Sequence, residues 1–345
     1  MGLFQTLSFL IVVIVVAILL YVLFENAFPN ATLLNSFNMT KSVNLSYTTV
    51  TTQPYITHNQ TIAYALYLIN RDRANYSLGS VSLSNITSAQ QHAESMLENH
   101  YFSHWDTYGM KPYMRYTLVG GNGAVEENIA YIYNSSGINV LNAIQSMEYN
   151  FMYNDLACCD NGHRDNILTP QHNQVSIGIA YNSTSIYLVE DFINKYITWI
   201  SNTPSISQNG STLLKGSMAP GYSLSSVQIS YDPPVQPLLP STLNSNSSPY
   251  HGPYSYGTTI AGVGYSKGNS YYFYKNTTTI NATTYITNGQ NFDIAFNLTG
   301  SIAKYGAGEY TLMVYLDNSS QSPFMGSTYT LFVNQNGSVY SPQNV

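Results

Sequence analysis

Four side chains of the types that bind divalent ions or move protons stand apart in the sequence. They are His104 in Tyr101-Phe102-Ser103-His104, Glu127 in Glu127-Asn128-Ile129-Ala130, Glu148 in an apolar helical stretch, and His163 in Asn161-Gly162-His163-Arg164. Two imidazoles and two carboxylates can hold a divalent cation such as Zn2+ with positions left open, as hydrolytic metal sites do. The same groups can instead work as an acid/base pair, with a buried Glu raised in pKa beside a His. Glu148 carries the best argument from position alone. On a helix it falls within ~20° of Leu141 and Met152, flanked by Ile144 and Phe151. A carboxylate in such a stripe must be paired, protonated or metal-bound, unless the helix is incompletely covered. Each His taken singly is an ordinary structural residue, and His92 and His100 at one helix read as interface or capping groups. The chain has no His-Glu-X-X-His, Gly-X-Ser-X-Gly, phosphate-loop or dinucleotide motif, so no activated nucleophile is expected.

The elements that must position these groups are legible as periods. Ile62, Ala65, Leu66, Ile69 and Arg73 share one face of a helix ending near Asn75. A second helix is predicted over residues 87–99, with Ala89, Ala93, Met96 and Leu97 inward, and a third over 138–153. Residues 101–130, with Gly120, Gly121 and Gly123, read as loop-rich. Val175, Ile177 and Ile179 alternate, and with residues 186–192 they form a predicted hairpin. Helices followed by paired strands make an α+β domain over residues 58–200. Residues 201–345 lack a helical period. Alternation at Val227-Ile229-Tyr231, Tyr272-Tyr274, Phe292-Ile294-Phe296-Leu298, Leu312-Val314-Leu316 and Tyr329-Leu331-Val333 predicts an Ig-like β-sandwich. Pro233, Pro234, Pro237 and Pro240 mark an irregular loop.

Only 8% of the 345 residues are charged, against ~25% in ordinary soluble domains. Asn, Ser, Thr and 32 Tyr replace the missing charge. With a net charge of −6 and no basic cluster, a nucleic-acid partner is excluded. Of the 28 charged residues, 18 lie between Tyr55 and Trp199, with six of the seven His. Residues 7–24 are an uncharged apolar run long enough to span a bilayer, so residues 1–26 are expected to be a transmembrane anchor, with a cleaved signal as the alternative. Residues 27–57 read as a stalk. Fifteen Asn-X-Ser/Thr sequons, all after the apolar run, fit a glycosylated exterior. The only cysteines, Cys158 and Cys159, are adjacent; a vicinal disulfide, two thiols and an intermolecular bridge all remain open.

Several segments recur in a fixed order: Leu68-Ile69-Asn70-Arg71-Asp72-Arg73, Ala89 to Met96, Tyr101-Phe102-Ser103-His104, Arg115, Glu127-Asn128-Ile129-Ala130, Gly162-His163-Arg164-Asp165-Asn166-Ile167-Leu168 and Val175-Ser176-Ile177-Gly178-Ile179. Together they resemble the CAP superfamily (cysteine-rich secretory, antigen 5 and pathogenesis-related 1 proteins) in its prokaryotic SCP-like branch. The resemblance implies an α-β-α sandwich and a pocket tetrad of His104, Glu127, Glu148 and His163, capable of taking Zn2+ or another divalent cation. Around Glu148 the chain departs from the prokaryotic pattern, with an insertion carrying the two cysteines. The expected function is a membrane-anchored extracellular binding protein whose partners are a cell-envelope or extracellular protein, a lipid or a glycan. The alternatives are a metal-dependent hydrolase of envelope peptide or glycan and a structural envelope component.

Overall fold

The first helix, α1 (His58–Asn75), starts at a capping box. Gln60 N–H donates to the Thr57 hydroxyl, and Thr57 N–H donates to the Gln60 side chain. Its buried face carries Ile62, Ala65, Leu68, Ile69 and Arg73. Arg73 is 1% exposed and acts as glue. Its guanidinium donates to the carbonyls of Gly79, Ile167, Thr169 and His172 at 2.7–3.1 Å, tying the helix to the chain that follows the His163 segment. In this computed structural model, residues 57–200, 204–207, 209–264, 278–318, 321–335 and 337–340 are described. The apolar run at 7–24, the stalk and Tyr272-Tyr274 lie outside them. No helix among the described residues is long and apolar enough to cross a membrane.

The chain continues through β1 (Ser82–Leu83), α2 (Ser88–Asn99), α3 (Pro112–Leu118) and β2 (Ala124–Tyr133). Next come α4 (Val140–Tyr153), α5 (Leu156–Cys159), α6 (Gly162–Leu168), β3 (Gln174–Tyr181) and β4 (Ser185–Asn194). The sheet order is β1-β3-β4-β2, which leaves β2 at an edge. One face of the sheet packs against α1 and α4 through Ile69, Ile144, Phe151, Ile177, Leu188 and Phe192. The other face packs against α2 through Ala89, Ala93, Met96, Ile129, Tyr187 and Val189. Gly178 lets α2 lie directly on β3, because a Cβ there would collide with the Ala89 carbonyl. The three layers and the β3–β4 hairpin match the α+β expectation. The predicted loop over 101–130 does not hold throughout, since α3 and most of β2 fall inside it. Two successive acids, Glu126 and Glu127, interrupt the apolar alternation that would have marked the strand.

Beyond β4 the chain is mostly strand: β5 (Ile197–Trp199), β6 (Ser205–Ile206), β7 (Ser211–Met218) and β8 (Ser223–Asp232), then the short helix α7 (Pro240–Leu243). There follow β9 (Thr258–Gly264), β10 (Thr278–Asn281), β11 (Thr284–Asn288), β12 (Asn291–Asn297), α8 (Thr299–Tyr305), β13 (Gly308–Asn318), β14 (Gln321–Val333) and β15 (Val339–Tyr340). One sheet runs β10-β9-β8-β13-β14-β15; the other runs β11-β12-β7-β5, with β6 also on β7. Their inner faces share a core that includes Leu214, Ile229, Ile294, Phe296, Leu312 and Leu331.

The sandwich is hydrogen-bonded onto the helical domain. Thr328 N–H and hydroxyl donate to the Gly123 carbonyl at 3.2 and 3.1 Å, and Ser327 Oγ donates to the Asn122 carbonyl at 2.7 Å. Asn194 Nδ2 donates to the Met325 carbonyl at 2.8 Å. Residues 233–257, the proline-marked loop between β8 and β9, form a strap back across the first domain. Lys111 Nζ lies 2.7 Å from Asp232 Oδ1, and Tyr113 OH donates to Asp232 Oδ2 at 2.6 Å, which fixes one end. Asn244 fixes the middle, accepting from Phe102 N–H and donating to the His100 carbonyl. The Tyr256 ring stacks on Tyr113 at 4.4 Å near the other end.

Candidate functional site

Edge strand β2 and the strap build the site around His104. Register pairs Glu127 with Asp191 and Asn128 with Glu190 across β2 and β4. Successive strand residues point to opposite faces, so Glu127 projects toward α2 and Asn128 toward α4. Glu127 is 3% exposed and fully engaged. Oε1 lies 2.8 Å from His104 Nδ1, and Oε2 accepts from Arg115 Nη2 at 2.6 Å. Arg115, from α3, also donates to the carbonyls of His104 and Met110 at 2.7 and 2.8 Å. Burial alone would raise the Glu127 carboxyl. Burial is the largest single effect, but the Arg115 guanidinium, His92 and His104 together outweigh it, and the group is held down at about 2. Its cross-strand neighbour behaves in the opposite way. Burial, then the Glu127 charge, pushes Asp191 up to about 8. Asp191 accepts from the Ser88 hydroxyl through Oδ2, and its Oδ1 meets no donor.

The strap closes over this group. Tyr254 lies 5.2 Å from His104 ring to ring, and its hydroxyl accepts from Glu127 N–H at 3.1 Å. Tyr250 packs edge-on against Trp105 at 5.7 Å, and its carbonyl accepts from Ser103 Oγ. The His104 side chain is left 12% exposed.

His163 belongs to the other layer. Its ring stacks on Phe151 of α4 at 4.6 Å, and its carbonyl accepts from Asn128 Nδ2 at 3.1 Å. Asp155 orients it: Oδ1 lies 2.6 Å from His163 Nδ1, while Oδ2 accepts from the backbone N–H groups of His163 and Arg164. Burial holds the imidazole below its ordinary pKa despite the Asp155 carboxylate, and the nearby His104 charge adds to the lowering. Each imidazole therefore has Nδ1 tied to a buried carboxylate. That arrangement fixes the ring and leaves Nε2 as the nitrogen for a ligand.

Glu148 is fully buried, as its stripe requires, but it does not join the two His. Its carboxyl faces Glu190 across the α4 side of the sheet, and neither oxygen meets another donor. Burial first, then Glu190 and Asp72, raises it well above the ordinary Glu value. Glu190 is raised as well, chiefly by burial. The four residues His104, Glu127, Glu148 and His163 thus do not converge as one ligand set. Among the described residues, the group of three or more His, Cys, Asp or Glu whose ligand atoms lie within 4.8 Å of one another is Asp155, Cys158, Cys159 and His163. Asp155 joins this candidate group without a motif to mark it in the sequence. Its only local signal is an acid just before a single turn of helix. His92 is structural: it is buried, with Nε2 2.9 Å from the Ser103 carbonyl, and burial pushes its imidazole down to about 3.

The family comparison falls on this same region. Residues 66–197 match the model of CAP, the cysteine-rich secretory protein family. Among solved structures, the chain is similar to an extracellular protein containing a SCP domain from Bacillus anthracis, at 21% identity and a TM-score of 0.30. That likeness covers 41% of this chain, which spans 45% of the Bacillus protein's length. An outer surface protein of Borrelia burgdorferi is similar at 12% identity and a TM-score of 0.30, over 40% of this chain and 96% of that one. The CAP domain of enterococcal PrgA is similar at 15% identity and a TM-score of 0.28, over 40% of this chain and 63% of that one. No curated protein matches. The order of motifs, the three layers and the family match agree, and residues 66–197 are a CAP domain.

Proposed function

We propose that the protein is a cell-surface binding protein. It is anchored by the apolar run at 7–24, and its CAP domain presents a His104/His163 cleft to a ligand of the cell envelope. The observation that carries this reading is the paired tethering of the two imidazoles, His104 by Glu127 and His163 by Asp155. Rings fixed in this way are preorganised to bind. A two-imidazole site fits Zn2+ or another divalent cation, with Glu127 and Asp155 as orienting carboxylates and Glu148 outside it. Such an ion would supply a Lewis acid for an anionic or carbonyl-bearing ligand. Hydrolysis is the weaker reading. Glu127 is saturated by Arg115 and held near 2, which makes it a poor general base at neutral pH. The extracellular address is supported by the sequons and the low charge.

The test is a Zn2+ titration of the detergent-solubilised full-length chain, wild type against His104→Ala/His163→Ala, together with retention of envelope components by each. Tight binding and retention by wild type alone are expected. Equal, weak metal binding and the same retained components in both would sink the cleft.

A further inference from the structure

The two cysteines form a bridge to each other, and that bridge has no structural task. A disulfide stabilises mainly by closing a loop in the unfolded chain, and the effect grows with loop length. Cys158 and Cys159 are neighbours, so bridging them closes only a minimal ring and constrains the unfolded chain very little. They are also on the surface side of the domain, Cys158 exposed and Cys159 half-buried. In a chain that contains no other cysteine, both have been placed beside His163.

The local fold explains how. Asp155 opens the single turn α5, which carries both cysteines. Two consecutive residues in the left-handed region, Asp160 at φ 51° and Asn161 at φ 65°, then reverse the chain. Asp and Asn tolerate that conformation better than most side chains. The reversal brings His163 back over α5, where Asp155 captures it at 2.6 Å. Cys158 Sγ lies 3.6 Å from the same Asp155 oxygen. Two sulfurs, an imidazole nitrogen and a carboxylate oxygen thereby lie within 4.8 Å of one another. That spacing is close enough for one ion to take all four, since Zn–S is about 2.3 Å and Zn–N or Zn–O about 2.0–2.2 Å.

We propose that Cys158, Cys159, His163 and Asp155 form a second, redox-gated site for a borderline-soft divalent cation of the Zn2+ type. It is closed while the bridge is intact and opened by a small thiol reductant. A disulfide sulfur is a poor ligand, whereas two thiolates with His and Asp suit such a cation. In the opening step a dithiol donor gives two electrons and two protons to the S–S bond, which breaks to two thiols as the donor becomes a disulfide. Binding the cation then releases the two thiol protons. Oxidation runs the sequence backward and expels the ion. A bridge between neighbours closes a small, strained ring, which favours its reduction. The site shares His163 with the proposed cleft but does not depend on His104.

The test uses the full-length chain in detergent and Co2+ as the probe, since thiolate ligation gives Co2+ a charge-transfer absorption that imidazole and carboxylate do not. Reduced wild type is expected to bind one Co2+ with that band, and oxidised wild type to show no band. Cys158→Ser/Cys159→Ser should lack the band in both states. It should also bind more weakly by more than the ~10–100-fold that losing an outer-shell partner costs. His104→Ala, which breaks the proposed cleft, should keep the band unchanged. Absence of the band from reduced wild type would overturn the proposal. So would a band in the oxidised protein or the double Ser variant as strong as that of reduced wild type. Loss of the band in His104→Ala would place the ion in the cleft and overturn it equally.

Discussion

His104 and His163 are treated differently by the same fold. Each is oriented by a buried carboxylate through Nδ1. On the His104 side that carboxylate is also paired with a buried arginine and roofed by Tyr254 from the distant β-sandwich. On the His163 side it caps a short helix, and the neighbours are exposed or half-buried cysteines. One imidazole is held by long-range contacts, the other by a local turn. The difference suggests a rigid half that fixes geometry and an adaptable half that responds to its surroundings.

The sharpest way to break this comparison is to remove Arg115. Taking one partner from a buried ion pair strands the other charge, at a cost of about 3–5 kcal/mol. Arg115→Ala should lose stability of that order in denaturant unfolding, because Glu127 is buried and the guanidinium also holds two carbonyls. A loss below ~1 kcal/mol would mean the His104 half is not locked.

Glu127 and the Glu148–Glu190 pair should also answer pH in opposite directions. Glu127 is held at about 2, below its usual 4.5, so its contribution is full above 4.5 and is lost as pH falls toward 2. The shift corresponds to about 3 kcal/mol. Glu148 and Glu190 are raised, so their contribution is full below the ordinary Glu range and is lost as pH rises through their folded values. Unfolding measured across pH should show Glu127→Gln flattening the acid limb and Glu148→Gln flattening the limb above pH 4.5. The same slopes in both variants and wild type would contradict the opposed titrations.

What was legible in the sequence follows the range of the interaction concerned. The periods of Ile62, Ala65 and Ile69, and of Val175, Ile177 and Ile179, located α1 and β3, because burial of one face imposes them locally. Burial of Glu148 was legible for the same reason. Its partner was not, since Glu190 sits on a strand whose register only the fold sets. Asp155 depends on a chain reversal at Asp160 and Asn161, which no periodicity announces. The strap over His104 joins residues more than a hundred positions apart, and a proline-marked loop reveals where the chain is irregular but not what it covers. His104, Glu127 and His163 stand out through their motifs, which carry no view of what orients or roofs them.

A milder change sharpens the role of the roof. Tyr254→Phe removes one acceptor for Glu127 N–H and should cost about 1 kcal/mol. Tyr254→Ala removes the ring over His104 as well. Acylation of histidines, followed by peptide mapping, should then proceed faster at His104 in Tyr254→Ala and at the wild-type rate in Tyr254→Phe. His163 should react alike in all three. Equal rates at His104 would show that the strap does not shield it.

The smallest effect belongs to the arginine on the other half. Arg164 Nη2 donates to the Tyr76 hydroxyl at 2.9 Å, and its guanidinium lies 5.4 Å from the centre of that ring. Tyr76 is 43% exposed, so water competes for both partners, and such a contact contributes about 0.5–1 kcal/mol. Asp155 accepts from the Arg164 backbone N–H, which every side chain at that position provides. Arg164→Ala should therefore leave the tether of His163 intact and lower stability by less than ~1 kcal/mol in the unfolding measurement used for Arg115→Ala. The ratio of the two losses is the measure of asymmetry. Were Arg164→Ala to cost as much as Arg115→Ala, the His163 half would be held by its side-chain contacts as firmly as the His104 half, and the adaptable half would have to be sought elsewhere.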